Sequence, residues 1–490
     1  EMCIRDRIMN YSVVIYILGW IMEIEAAFLA LPGIVSAIYG EKGGFAFLWV
    51  ALGSAVAGSA IILRKPKNMR FYLREGFVTV ALSWILMSVI GCLPFVINGD
   101  IPHFADALFE MISGFTTTGA TVVSDVEGLT KGSLFWRSFS HWIGGMGVLV
   151  FLLAIVPMAG GSHMNLMKAE SPGPSVGKLV PKVRQTAKYL YIIYFALTMI
   201  EVIFLLFGGM NLFEALTTSF GTAGTGGFAI WNDGFVSVSP YNQWVVTIFM
   251  LLFGVNFGFY FLILTGKLRD ALKFEEVRIY FIIVIAAAVF IFINLRHFAL
   301  YAPAEGIRQA FFQVASIITT TGFASADFNL WPETSRTILV LLMFIGACAG
   351  STGGGIKVSR FIIACKSFIK EIISYLHPRS VKKIKIEGKP LEHETLRATN
   401  VYFMTYMVIF AVSVLLVSIE NKDLVTNFAA VAATFNNIGP GLSLVGPMAN
   451  FGHFTDFTKY ILMFDMLAGR LEIFPMMLLF CPAVWKRRRA

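Results

Sequence analysis

The chain has 490 residues, of which 57% are hydrophobic and only 14% charged, with a formal net charge of +9. A soluble chain of this length would hold roughly a quarter charged residues, so the composition excludes an ordinary globular protein and points to an all-α polytopic membrane protein. Five scattered cysteines (Cys3, Cys92, Cys348, Cys365, Cys481), the lack of CxxC and HExxH motifs, and dispersed histidines argue against a disulfide framework, a metal centre or an enzyme.

The opening EMCIRDRI is unlike the rest of the chain, so residues 1–8 are set aside and Met9 is a candidate start; no cleavable signal is expected. Apolar segments then run over about 11–32, 44–63, 77–97, 134–157, 187–208, 241–265, 279–300, 336–365, 400–418 and 458–484, each long enough to cross a bilayer as a helix. Glu23 and Glu25 lie inside the first, where acids need partners. With the N-terminus inside and the segments alternating, the inner stretches collect 30 of the 39 Lys and Arg residues. That asymmetry is what the positive-inside rule expects, and it places both termini in the cytoplasm. The positive charge then belongs to an inner face attracted to anionic membrane lipid, and nothing points to nucleic acid.

The four long outer stretches share one plan. A short semi-polar helix reads FADALFEMIS (104–113), NLFEALTTSF (211–220), IRQAFFQVAS (307–316) and LVTNFAAVAA (424–433). The loops after these helices read TTTGA (116–120), TAGTGGF (222–228), TTTGF (319–323) and NNIGPG (436–441). Aligned on Gly119, Gly227, Gly322 and Gly439, they define four parallel helix–pore-loop–helix repeats with pseudo-fourfold symmetry around a central pore. The expected organisation is a helix pair at 9–66, repeat 1 at 77–160, repeat 2 at 187–266, repeat 3 at 279–365, a cytoplasmic loop at 366–399 and repeat 4 at 400–485.

Irregular backbone survives within a membrane only where protein buries it or where it lines a watery cavity. Four symmetric loops can offer rings of carbonyls to a dehydrated alkali cation. Aiming successive carbonyls at one axis demands positive φ, which glycine reaches cheaply, while threonine's branched side chain stiffens the loop. The C-terminal dipoles of the short helices would favour a cation there. The bland reading of any single loop is a helix C-cap, and four loops in register argue for a selectivity filter.

These loops resemble those of the Trk/Ktr/HKT superfamily of potassium transporters, as do HWIGGMGVLVF (141–151), GACAGSTGGGIKVSR (346–360) and MLAGRLEIFP (466–475). The chain is most similar to the membrane subunit of bacterial Trk potassium-uptake systems, from about residue 9 to its end. The resemblance implies potassium uptake across the bacterial cytoplasmic membrane through a channel-like pore, with K+ as the transported ion and no covalent cofactor. The filter would comprise Thr116, Thr117, Thr118, Gly119, Thr225, Gly226, Gly227, Thr319, Thr320, Thr321, Gly322, Asn436, Asn437, Ile438 and Gly439. Thr117, Thr118, Thr225, Gly226, Thr320, Thr321, Asn437 and Ile438 would hold K+. The family also implies a homodimer and a cytosolic RCK-type nucleotide-binding ring as regulatory partner. Two cytoplasmic connections could receive that ring: residues 366–399, where VKKIKIEGKPLE alternates about Gly388–Lys389 as in a small hairpin, and residues 169–190.

GSTGGGIKVS (350–359) lacks the GK[ST] spacing and the flanking strand of a nucleotide-binding loop. Six consecutive small residues, Gly350, Ser351, Thr352, Gly353, Gly354 and Gly355, would instead break the helix of 336–365. The resemblance makes this segment a gate below the filter and makes Arg470 a positive barrier in the pore; the bland readings are a packed kink and an ion pair with Asp465 or Glu472. Asp125, Asp233 and Asp327 come five or six residues after three of the four filter glycines and would make the outer vestibule negative, unless they serve turns only. The alternative function, an H+- or Na+-coupled potassium symporter, has Glu23, Glu25 and Glu201 as candidate coupling residues.

Overall fold

Sustained hydropathy produces, among the described residues, six helices long and apolar enough to cross a membrane: Tyr11–Ile38, Gly44–Ile62, Leu73–Asn98, Val183–Phe207, Glu275–His297 and His393–Val417. The computed structural model describes residues 9–67, 72–147, 183–377 and 383–485. Large apolar side chains such as Trp49, Phe207 and Ile282 face outward, as expected where the solvent is hydrocarbon. The first two helices pack through small residues. A Cβ on Gly19 would meet Ile61 at 2.8 Å, and one on Gly44 would meet Ser36 at 2.5 Å.

The four expected short helices are present as Phe104–Phe115, Leu212–Gly224, Pro303–Ile318 and Leu424–Phe435. Their starts are written locally. Asn211 and Glu214 form a capping box (3.0 and 3.1 Å), Pro303 occupies the first turn, and the Asp423 carboxylate accepts from Thr426 N–H at 2.9 Å.

The second long segment of each repeat departs from expectation, because none of the four is one continuous described span. In repeat 1 the helix Lys131–Met146 ends at Gly147 (φ 69°), and the expected continuation over 148–157 lies outside the described residues. In repeat 2 the segment expected over 241–265 is two helices, Pro240–Phe253 and Phe257–Leu264, bent by 88°. Asn256 explains the break: its side chain caps the second half by accepting from Gly258 N–H at 2.8 Å. In repeat 3 the helices Glu333–Met343 and Val358–Leu376 flank a loop wider than the glycine run alone. In repeat 4 the segment expected over 458–484 ends as Asp456–Arg470, and Glu472 (φ 57°) and Ile473 (φ 71°) turn the chain into Phe474–Leu479.

The expected hairpin exists, pairing Lys385–Ile386 with Lys389–Pro390. Its turn is Glu387–Gly388, both at positive φ, one residue earlier than the alternation suggested. Residues 1–8, the 169–182 part of the other connection expected to be cytoplasmic, and the terminal KRRR lie outside the described residues.

The repeats close into a ring through their outer loops. Repeat 1 meets repeat 2 where Asn232 Nδ2 donates to Asp125 (2.9 Å) and Val126 N–H donates to Asn232 Oδ1 (2.7 Å). Repeat 2 meets repeat 3 through Phe235 N–H to the Ala324 carbonyl at 2.8 Å. Asn329 ties repeat 3 to repeat 4, donating to the Ser443 carbonyl (3.2 Å) and accepting its N–H (3.0 Å). Repeat 4 returns to repeat 1 through Phe451 N–H to the Thr121 carbonyl (2.8 Å) and the Lys459–Asp106 ion pair (2.5 Å).

Candidate functional site

All four short helices end in the same hydrogen-bond pattern. The N–H groups of Thr117, Thr225, Thr320 and Asn437 donate three residues back, to Gly114, Thr222, Ile317 and Thr434, at 3.0–3.1 Å. The next N–H groups, of Thr118, Gly226, Thr321 and Ile438, donate five residues back, to Ser113, Gly221, Ser316 and Ala433, at 2.8–2.9 Å. This pair of bonds is a Schellman cap, whose left-handed position glycine usually fills. Here Thr117, Thr225, Thr320 and Asn437 fill it, with φ of 53°, 54°, 58° and 56°. Two residues on, Gly119, Gly227, Gly322 and Gly439 are left-handed again, with φ of 78°, 76°, 84° and 95°. The cap reading and the filter reading therefore describe the same residues: the cap is how each filter loop begins. Threonine and asparagine in a conformation that costs L-residues roughly 1–2 kcal/mol persist only where the surroundings impose it.

The cap bonds impose it, and the loops then pack on one another. A Cβ on Gly119 would lie 1.9 Å from the Gly226 carbonyl oxygen; on Gly227, 2.0 Å from that of Thr321; and on Gly322, 2.0 Å from that of Ile438. A Cβ on Gly439 would lie 2.7 Å from the Thr118 oxygen, which closes the circuit. Each glycine thus faces the carbonyl that precedes the next repeat's glycine, in the order 1, 2, 3, 4 and back to 1. The four loops therefore contact one another in a closed circuit, each glycine against a main-chain carbonyl oxygen of its neighbour.

The side chains of the filter residues turn to the protein. In loops 1 and 3 the outer threonines bond each other, Thr116 to Thr118 at 2.8 Å and Thr319 to Thr321 at 2.7 Å. Loop 2 has no such pair, and its Thr225 hydroxyl donates to the Gly224 carbonyl at 2.6 Å. In loop 4, Asn436 accepts from the Tyr406 hydroxyl (3.0 Å), and Asn437 Nδ2 donates to Thr118 Oγ1 and to the Met466 carbonyl (both 2.9 Å). The backbone is fourfold while the chemistry around it is not.

Two side chains that sequence reasoning did not single out brace loops 1 and 2. His141 Nε2 accepts from Phe228 N–H (3.2 Å), so its Nδ1 carries the hydrogen and donates to the Gly114 carbonyl (2.7 Å). The buried Arg137 pairs with buried Glu110 at 2.7 Å, stacks 4.2 Å from the Phe228 ring centre, and reaches the Ala229 carbonyl at 3.4 Å. Glu110 also accepts from Val122 N–H at 3.1 Å, which fixes the chain leaving filter 1. Polar residues inside an otherwise apolar segment were the available signal.

The glycine-rich loop of repeat 3 lies against the inner side of this ring. Gly354 N–H donates to Thr320 Oγ1 at 2.6 Å, and a Cβ on Gly353 would come 2.9 Å from the Thr319 carbonyl. The break in repeat 2 receives the loop: Phe257 N–H donates to the Gly350 carbonyl (3.0 Å), Cys348 N–H to that of Gly254 (3.1 Å), and Thr352 Oγ1 to that of Phe253 (3.2 Å). Ser351 Oγ folds back to the Cys348 carbonyl at 2.7 Å, and Gly355 is left-handed (φ 72°). Arg470, expected in the pore, donates to the Thr352 carbonyl (2.8 Å) and to those of Gly144 (2.6 Å) and Gly145 (3.2 Å). It therefore links repeats 1, 3 and 4. The carboxylates weighed as its partners are engaged elsewhere: Glu472 is held by Arg360 at 2.5 Å, and Asp465 accepts from Ser413 at 2.6 Å.

The three outer aspartates occupy turns. Asp125 accepts from Asn232 and from Gly128 N–H (3.2 Å), which holds its carboxyl below the usual range. Asp233 accepts from Ser237 N–H (3.1 Å), and Asp327 from Asn329 N–H (3.0 Å). The acids weighed for coupling sit behind the pore helices or on the peripheral pair. Glu25 is buried beside Gly91, Glu201 lies beside Thr222, and Glu23 accepts from Ser59 at 2.5 Å.

Residues 45–487 match the TrkH family, described as a cation transport protein. The chain is 36% identical to the Trk system potassium uptake protein TrkH of Escherichia coli K12, across 98% of this chain and all of that one. It is 31% identical to TrkG of the same organism, across 97% and 99% of the two chains. The crystal structure of the potassium transporter TrkH from Vibrio parahaemolyticus superposes with a TM-score of 0.87 at 33% identity, covering 98% of this chain and all of that one.

Proposed function

The chain belongs to the TrkH family of cation transport proteins, and from that premise we propose that it takes up potassium through a channel-like pore whose filter is the four-loop carbonyl ring. The observation that carries this reading is the closed circuit of glycine-to-carbonyl approaches among Gly119, Gly227, Gly322 and Gly439. A bare K+ replaces several waters with oxygens at once, and only a ring that presents carbonyls from all sides does so without moving. All four key positions are glycine, the pattern that accompanies potassium selectivity in this superfamily. K+ is held at Thr117, Thr118, Thr225, Gly226, Thr320, Thr321, Asn437 and Ile438.

Gly350 to Gly355 and Arg470 form the gate. The loop obstructs the path below the filter, and the Arg470 guanidinium adds a positive barrier there. Asp125, Asp233 and Asp327 give the outer mouth a negative field over and above their turn bonds. The protein works as a homodimer in the bacterial cytoplasmic membrane with both termini inside. An RCK-type nucleotide-binding ring docks on its basic cytoplasmic connections, the hairpin of 385–390 among them.

The test is electrical recording and flux from the purified chain in liposomes. K+ current that persists without a proton or sodium gradient supports the channel. K+ flux that carries H+ or Na+ with it in a fixed ratio makes the protein a symporter and returns Glu25 and Glu201 to the pathway.

A further inference from the structure

Lys357 closes the glycine-rich loop at the turn into the next helix. It is buried, its φ is 83°, and it immediately precedes the helix Val358–Leu376. A buried ammonium normally finds a carboxylate. The two acids near it, Glu276 and Glu472, are engaged elsewhere. Glu472 pairs with Arg360, while one oxygen of Glu276 accepts from both Ala349 N–H (2.7 Å) and Ser359 N–H (3.0 Å), cinching the two ends of the loop together. The Lys357 ammonium instead donates to the main-chain carbonyl of Gly353. The carbonyl just before it, that of Thr352, takes Arg470 at 2.8 Å. Two consecutive carbonyls of the loop are thus capped by two fixed cations, directly beneath the Thr319 carbonyl of the filter.

We propose that Lys357 is a second gating cation: with Arg470 it clamps the loop closed by occupying the carbonyls of Gly353 and Thr352, in the manner of a tethered alkali ion. An ammonium and a K+ carry the same charge and are satisfied by the same oxygens. Opening the loop requires both carbonyls to exchange their tethered cation for water or for a passing K+. Glu276 keeps the two ends together, so the loop moves as a flap and does not unravel. Arg470 reaches the loop from repeat 4, and Lys357 reaches it from the loop's own exit. The clamp therefore reports both the position of repeat 4 and the pitch of the helix that leads from the loop toward the hairpin. The inference rests on the gate reading of this loop and adds to it the residue that holds the loop shut.

Single-channel recording of the full-length chain in planar bilayers, without any cytosolic partner, tests it. Lys357→Met keeps the length and removes the charge, and it should raise open probability about tenfold, the effect of losing one charge-assisted hydrogen bond. Lys357→Arg keeps a cation on the same carbonyl and should restore the closed state. The K+/Na+ permeability ratio, which reads the filter alone, should not move in either variant. Deleting residues 352–354 tests the gate reading by itself. If the deletion opens the pore and Lys357→Met does not, the Lys357 proposal is overturned and the gate stands. If neither variant changes open probability, the gate reading fails as well. Loss of selectivity in Lys357→Met, or failure of both Lys357→Met and Lys357→Gln to assemble, makes the residue structural and also overturns the proposal.

Discussion

The ring of four loops, proposed above as the filter, and the glycine-rich loop packed against it draw on the same residues, glycine and threonine, and use them in opposite ways. Four segments build the ring. Each is capped identically on its own helix, and each leans on the carbonyl of the next at 1.9–2.7 Å from a would-be Cβ. One segment builds the loop below, and its contacts differ on every side: a threonine hydroxyl above, the broken helix of repeat 2 beside it, and Arg470 from repeat 4. The difference teaches what each task requires. Coordinating an ion needs equivalent oxygens from every direction, so the backbone repeats. Obstructing a path needs one body held by a few separable bonds, so it does not repeat.

The comparison is most exposed at the glycine ring. Gly322→Ala puts a methyl 2.0 Å from the Ile438 carbonyl in a left-handed conformation, and potassium uptake should fall roughly 1,000-fold, a loss of about 4 kcal/mol. Gly439→Ala, with 2.7 Å to the Thr118 carbonyl, should be the mildest of the four. Equal losses at all four in a potassium-limited uptake assay would mean that the ring is tighter than its weakest contact suggests. Next is the brace between loops 1 and 2. Arg137→Ala leaves Glu110 buried without its charged partner and should cost about 3 kcal/mol, read as a drop in detergent Tm, with selectivity lost together with stability.

A smaller effect is expected below the ring. Arg470→Ala removes a barrier and a bond to Thr352, so K+ conductance should rise about tenfold while K+/Na+ discrimination holds. Altered discrimination would join the two regions into one functional unit and undo the contrast. The smallest change concerns the vestibule. Neutralising Asp125, Asp233 and Asp327 together should raise the K+ concentration for half-maximal uptake about two- to threefold at low ionic strength and leave it unchanged near about 0.5 M salt. An unchanged value at low salt would reduce these residues to their turn bonds with Asn232, Ser237 and Asn329.

Much of the architecture was legible because it depends on period and on backbone freedom. The four short helices, the glycines after them and the hairpin near Gly388 are each local statements that a sequence makes directly. What was not legible depends on partners. Nothing in TTTG says that its middle threonine will be left-handed, since threonine resists that conformation; only the cap imposes it. The 88° bend in repeat 2 was missed because Gly254 and Asn256 interrupt its apolar run only briefly, and what fills the gap they open is the loop of repeat 3. Lys357 looked like a misplaced nucleotide-binding lysine because spacing along the chain does not show that a side chain curls back four residues. His141 and Arg137 sat in plain view, but each bridges two repeats, holding Gly114 or Glu110 on one side and Phe228 or Ala229 on the other.

The circuit of glycines and carbonyls runs head to tail, which is the geometry of a cyclic oligomer folded into one polypeptide. In an assembly of four identical subunits any substitution arrives four times, and the ring keeps its symmetry whatever happens to it. Here a substitution arrives once, and the other three quadrants keep their shape. That independence lets Asn436, Asn437 and Ile438 stand where repeats 1 and 3 have three threonines, and it lets a single quadrant carry the loop beneath. Carrying four quadrants in one polypeptide makes an aperture whose corners can be specialised one at a time.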